Sequence, residues 1–424
     1  MTNAAGCGTP RRTTHREATE APDGGASLSR GLLLLMAAAT GLSVANNYFA
    51  QPLLDLLGRE LQLSATAAGM IITAAQVGYG LGLLLLVPLG DLVERRRLAV
   101  LLYAATAVFL LVSATAPNGT LLLAGTALTA FTSVAAQVVV PYAATLAPPG
   151  RRGRVIGTVM SGLLLGALLS RAVSGALAEL GGWRTVYWVS AILVAGMTVL
   201  LWRFLPRLHT PSGLSYPALL RSTIALFRHE PALRWRAGIA ALSLASFNVL
   251  WTAATFLLAG PHYGWSEAVI GLFGLVGAVG TVTTTVAGRL ADSGYVQWVT
   301  GIGTAALAAS WLLIGAAESS LAWLVGGVIV LNVAHQAVLN SNQNVIYALR
   351  PEIRNRLNAA LLTAFFAGGA AGSALAGMVW VCGGWTAVSV LGGSLASGTL
   401  VLWVLERTMT SRSLGSPASA GSPN

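Results

Sequence analysis

The chain has 424 residues, of which 55% are hydrophobic and 9% charged, with a mean hydropathy of +0.71. That is too little charge to cover a soluble globule of this size, so the composition describes a polytopic membrane protein. The net charge of +11 is carried by arginine, since lysine is absent; the arginines cluster between apolar runs, a pattern of membrane topology rather than of a nucleic-acid surface. Two cysteines, Cys7 and Cys382, exclude a disulfide framework and a cysteine-built metal site.

In chain order, residues 1–28 are polar, carry Arg11, Arg12 and Arg16, and lack the apolar stretch of a signal peptide; they are expected to form a disordered cytoplasmic tail. From Leu32 onward, hydropathy predicts twelve helical spans of about 20 residues, enough to cross a ~30 Å hydrocarbon core. They fall at 31–54, 66–89, 98–116, 120–143, 155–178, 184–205, 237–258, 268–290, 297–316, 321–346, 357–379 and 386–405. A six-helix bundle over 29–205 and another over 237–406 are joined by an arginine-rich cytoplasmic linker, 206–236, that closes in an amphipathic segment. Residues 407–424 are rich in Ser, Gly and Pro and are expected to be a second disordered tail. With the N-terminus inside, all of the 25 arginines except Arg59, Arg171 and Arg184 fall in cytoplasmic segments. The positive-inside rule therefore places both termini in the cytoplasm, for a multi-pass protein of the plasma membrane.

The two bundles are related. Asp91, in the charged turn Leu86-Val-Pro-Leu-Gly-Asp-Leu-Val-Glu-Arg-Arg-Arg97, lies 201 positions before Asp292 in Gly288-Arg-Leu-Ala-Asp292. Arg154 and Arg356, and the Gly-Gly-Trp runs ending at Trp183 and Trp385, are each 202 apart. Each landmark borders an apolar run, so the chain reads as two copies of one design.

Twelve spans in two halves, a long basic linker and an acidic-basic turn after spans two and eight resemble the major facilitator superfamily over about residues 29 to 406. Within it the chain is most similar to the bacterial twelve-span drug and metabolite:proton antiporters. Their turn after span two reads Gly-x-x-x-Asp-Arg-x-Gly-Arg-Arg; Asp91, Arg95 and Arg96 match it, with Val87, Leu92 and Glu94 at the other positions. The second copy keeps Gly288 and Asp292. In span five Gly162 and Gly166 match the antiporter motif, Ala167 stands where that motif has proline, and span four has no arginine. The resemblance implies an all-α integral membrane protein with twelve transmembrane helices in two pseudo-symmetric six-helix bundles, rocking about a site at the bilayer midplane. Pseudo-symmetry then predicts a cytoplasmic gate, with Asp91 pairing with Arg354 or Arg356, and Asp292 with Arg152 or Arg154. Glycines in spans two, five, eight and eleven, among them Gly78, Gly80, Gly82, Gly162, Gly166, Gly271, Gly274, Gly368 and Gly372, are expected to form the sliding seam between the halves.

In this fold the substrate cavity is lined by spans one, four, seven and ten, which directs attention to their polar residues. Span one offers Asn46, Asn47, Tyr48 and Gln51; span four, Gln137; span seven, Asn248 and Trp251; span ten, Asn332, His335, Gln336 and Asn340. Asn46 and Asn248 are themselves 202 apart. Amides also bond helix to helix, so each residue has a structural reading beside the functional one. Arg171 lies ~24 Å from the start of span five, where a guanidinium needs water, a carboxylate or an anionic ligand; it would serve the substrate or Asp55. For proton coupling, the titratable groups within reach are His335, at mid-span, and Asp55, at the outer end of span one beside Arg59.

The leading expectation is a secondary active transporter that exports a small organic molecule in exchange for protons. The second is uptake or facilitated transport of an anionic or zwitterionic metabolite, which Arg171 would suit. HExxH, GxSxG and P-loop motifs are absent from the sequence, which argues against a membrane enzyme and against direct use of ATP. The expected partners are the substrate, protons and membrane lipids, with no nucleic acid and no cofactor, for a chain acting as a monomer.

Overall fold

Within a bilayer an apolar backbone can satisfy its peptide groups only internally, which favours helices. The computed structural model describes residues 29–148, 150–207, 215–280, 295–350 and 353–414, and the regular structure among them is helical throughout. In chain order the helices are α1 (Arg30–Ala45), α2 (Leu54–Glu60), α3 (Ala65–Leu85), α4 (Arg95–Ala114), α5 (Gly119–Thr132), α6 (Ala135–Leu146), α7 (Arg152–Gly181) and α8 (Trp183–Phe204). After these come α9 (Tyr216–His229), α10 (Pro231–Ala259), α11 (Glu267–Phe273), α12 (Val296–Gly315), α13 (Leu321–Leu349) and α14 (Arg354–Leu414). Helix α14 holds two spans, because Gly383 and Gly384 leave helical geometry (Gly384 φ 58°) and fold it into two arms. Side-chain oxygens of Ser29, Ser64 and Asn118 cap α1, α3 and α5 at their otherwise unpaired N-terminal amides.

The twelve-span arrangement repeats between halves. Helix α1 packs on α7 and α4 on α8; correspondingly, α10 packs on the first arm of α14 and α12 on its second. Close approach is enforced by equivalent glycines: a methyl group on Gly166 would overlap the Gly41 carbonyl, and one on Gly368 the Ala241 carbonyl. These two contacts lie inside each half, not at the seam expected from the sequence, because the small residues face the neighbouring helix of their own bundle. Gly271 and Gly274 do lie at the seam, against the backbone and side chain of Arg171. The halves meet where α3 packs on α14 and α7 on α11.

Three expected elements differ. Span one is not one helix: α1 ends at Ala45, residues 46–50 form turns, Gln51–Leu53 is a 3-10 turn, and α2 follows. Pro52 has no N–H and clashes with a helical carbonyl at Tyr48, and the asparagine side chains compete for backbone partners. Span seven begins at Pro231 rather than 237, which brings Arg236 into the bundle with no exposed surface. The last helix runs to Leu414, past the expected end near 405, with Glu406 bound to Arg236 (2.9 Å). Residues 1–28 and 415–424 of the expected tails, and Asp292, lie outside the described residues, as does the side chain of Asp91.

Candidate functional site

The helix breaks fall where the polar residues lie. Beside the interrupted first span, the fourth is split at Ser133–Val134 between α5 and α6, and the eighth tightens into a 3-10 turn at Gly274–Ala278. Broken spans at mid-depth free backbone and side-chain groups for a ligand.

Arg171 is at the centre. Its guanidinium lies over the ring of Tyr48 (4.6 Å) from the first half and that of Trp251 (4.8 Å) from the second. Nε donates to Gln51 Oε1 (2.6 Å) and Nη1 to the Ala167 carbonyl (3.3 Å). The residue is 8% exposed, and no acidic side chain among the described residues pairs with it. Asp55 does not supply one; it pairs with Arg59 (2.8 Å) at the end of the molecule opposite the linker.

Gln51 Nε2 and Trp251 Nε1, on two residues that touch this cation, are buried and without a partner, as are Asn46 Oδ1, Asn47 Oδ1, Gln76 Oε1 and Asn248 Oδ1 on the first, second and seventh spans. An unmade hydrogen bond costs about 1–3 kcal/mol per buried group, so the two donors beside Arg171 are groups that a polar ligand would complete. Asn332 donates to the Val328 carbonyl (2.8 Å) and turns its Oδ1 toward Gly277, where Trp251 also packs. The Tyr79 hydroxyl is held near Gln137, on α6.

The other expected residues have other surroundings. Gln336 donates to Asn340 (3.4 Å), so these two amides bind each other along α13. His335 meets no amide; its Nδ1 shares a hydrogen bond with Ser243 Oγ (2.8 Å), and its ring stacks on Phe247 and Phe365. At the linker end, Arg354 donates to the Tyr347 carbonyl (2.9 Å) and Arg356 to Ser222 on α9 (3.3 Å). Arg95 bonds Gly90, Pro141 and Thr145, and Arg96 bonds the Trp202 carbonyl. Arg152 and Arg154 are exposed at the start of α7. Helix α9 thus holds Arg356, one of the two arginines expected to pair with Asp91, whose side chain lies outside the described residues. It joins the halves, since its Tyr216 hydroxyl donates to the Leu85 carbonyl of α3 (2.8 Å).

The end opposite the linker is closed by contacts between halves. Arg59 bonds Glu267 (2.8 Å), Thr255 donates to the Gln51 carbonyl (2.9 Å), Thr66 to the Gly377 carbonyl (3.1 Å), and Thr73 meets Ser373 (3.0 Å). Gln51 therefore joins the arginine site to this closure, through its side chain on one side and its carbonyl on the other.

Sequence reasoning did not single out Gln76, Ser133, Ser243 or the Arg236–Glu406 pair. The available signals were a lone amide inside an apolar span and two charges just inside span ends, which hydropathy averages away.

Two pseudo-symmetric helical halves around a polar, arginine-centred site define a multi-pass membrane transporter. Residues 36–349 match the family model of the Major Facilitator Superfamily, and the chain belongs to that family. It is 49% identical over 376 residues to the uncharacterized transporter YgaY of Escherichia coli O157:H7, covering 89% of this chain and 95% of that protein. A protein named as a probable transporter, SCO4007 of Streptomyces coelicolor, is 34% identical over 91% of this chain and 90% of its own length. Among solved structures, a bacterial homologue of the lysosomal transporter Spinster, inward-facing and occupied, superposes with a TM-score of 0.71 at 17% identity over 93% of this chain and 98% of its own. The human organic anion transporter MFSD10 superposes with a TM-score of 0.66 at 19% identity over 88% and 100%. The chain is a transporter and not an enzyme.

Proposed function

We propose that this protein is a secondary transporter for small organic anions or zwitterions, with Arg171 as the binding cation. The observation that carries the reading is a guanidinium buried between two rings with no acidic partner among the described residues. A cation in that position is stabilised when an anionic substrate supplies the missing charge. Gln51 Nε2 and Trp251 Nε1, both buried and unpaired beside it, are further donors for a carboxylate. Alternating access follows from Gln51: an anion that draws on Arg171 and Gln51 perturbs the residue whose carbonyl holds Thr255, and so couples occupancy to opening of the end opposite the linker. The arginine distribution supports a cytoplasmic linker end, with the contacts around Arg59 facing outward.

Proton-coupled efflux is the second reading. Its supporting observation is His335, a titratable side chain on a cavity-lining helix with one hydroxyl partner and ring contacts to α10 and α14. Both readings are tested with purified protein in proteoliposomes, recording flux of labelled organic anions together with internal pH. Anion flux that disappears in Arg171→Gln supports the first reading; flux that persists in this variant rejects it. Substrate-driven proton movement that disappears in His335→Ala supports coupling, and anion flux without a proton signal rejects it.

A further inference from the structure

The unpaired atoms of the first, second and seventh spans divide by type. Donors lie beside Arg171, at Gln51 Nε2 and Trp251 Nε1, whereas Asn46, Asn47, Gln76 and Asn248 leave amide oxygens, which only accept. Two of these are pseudo-symmetric partners, each held within its own half by a different kind of acceptor. Asn248 Nδ2 donates to the Gly369 carbonyl (3.0 Å), and because a carbonyl cannot donate, the amide orientation is fixed and Oδ1 is the atom left over. Asn46 Nδ2 donates to Ser133 Oγ (3.3 Å), whose own carbonyl is held by the Ser43 hydroxyl. Each half thus ties an asparagine to its own bundle and leaves one buried oxygen unmatched, and both residues are at most 3% exposed. Asn248 lies one helical turn from Trp251 on the same face of α10, and Asn46 lies two residues before Tyr48.

Resting on the anion reading above, we propose that the substrate is a carboxylate that also carries a hydrogen-bond-donating amino or hydroxyl group. Arg171 takes the carboxylate, and the oxygens of Asn46 and Asn248 take the donor, one from each half. A plain apolar acid would answer the donors around Arg171 and leave the amide oxygens desolvated. A ligand that answers both sets bridges the halves, which is what a substrate of an alternating-access cycle has to do.

The test measures binding to the purified full-length protein, by calorimetry and thermal stabilisation, for matched carboxylates: propionate, lactate and alanine; succinate, malate and aspartate; hexanoate, gluconate and norleucine. In at least one series the hydroxylated or aminated member should bind about tenfold tighter than the plain acid, a difference of about 1.4 kcal/mol. Asn248→Ala should erase that advantage while leaving the plain acid unchanged; Asn46→Ala is the parallel variant in the other half, and melting curves report whether each is folded. The hydroxylated and aminated arms distinguish a hydroxy acid from an amino acid. Equal binding of plain and donor-bearing members would overturn the donor requirement and leave the Arg171 site standing. An advantage that survives in both asparagine variants would overturn the assignment of these oxygens. Binding that survives Arg171→Gln, or an absence of binding in every series, would overturn the anion reading as well.

Discussion

Among the described residues the two halves each bury one arginine, and they treat it in opposite ways. In the second half, Arg236 is enclosed by Glu406 (2.9 Å), Thr300 (3.1 Å) and Asn342 (3.4 Å), so four packed segments, from α10, α12, α13 and the last arm of α14, meet at one ion pair. In the first half, Arg171 has an amide, a carbonyl and two aromatic faces, and no acid. Both cations have been taken from water, but only one has its counter-charge built into the protein. A buried charge with its partner in place holds helices together, whereas one left without a partner at the seam between the halves is where the proposed anion would supply the missing charge.

This contrast predicts effects of different size and kind. The largest belongs to the built pair. Arg236→Met or Glu406→Gln should each lower unfolding stability by about 3–5 kcal/mol, because each leaves a group stranded in the interior. Methionine at both positions should recover most of the loss in thermal unfolding; a double variant as unstable as the singles would refute the pairing account. For Arg171→Gln the pattern should invert. Stability should change little, whereas binding of organic anions should weaken by about a hundredfold, the scale expected for removing one partner of a buried charge pair. Loss of stability without loss of binding would make Arg171 a second structural arginine and erase the contrast.

Smaller effects test the shared frame. Gly166→Ala and Gly368→Ala, equivalent positions in the two halves, should each cost about 1–3 kcal/mol, since a methyl group overlaps a neighbouring carbonyl. A marked difference between the two would show that the halves are not packed alike. The smallest effect is expected at the latch opposite the linker. Arg59 is 64% exposed, so Glu267→Gln should favour opening of that end by at most about 1 kcal/mol, and less at high salt. Distances between spin labels on the two halves would report it, and an unchanged distribution at low salt would remove this pair from the gate.

Much of the architecture was legible because membrane insertion depends on local quantities. A run of apolar residues long enough to span specifies a helix wherever it occurs, and the recurrence near 202 positions specified two halves. The cluster Asn46, Tyr48, Gln51 and Arg171 was also legible, since charged and amide groups in an apolar run are few. The contacts of the linker helix were not legible in the same way: Arg356 bonds Ser222 of α9, an element with no counterpart in the repeat.

The sequence by itself determined the helical class, the spans, the repeat and the scarcity of buried charge, because each depends on composition over one helix length. The tertiary structure decided which of the two arginines buried among the described residues is paired, which amide oxygens are left unmatched, and which glycines act within a bundle, as Gly166 and Gly368 do, and which at the seam, as Gly271 and Gly274 do. Those outcomes depend on which faces meet across hundreds of residues. Hydropathy cannot register that, because a guanidinium beside Glu406 and one between Tyr48 and Trp251 have the same side chain and the same score.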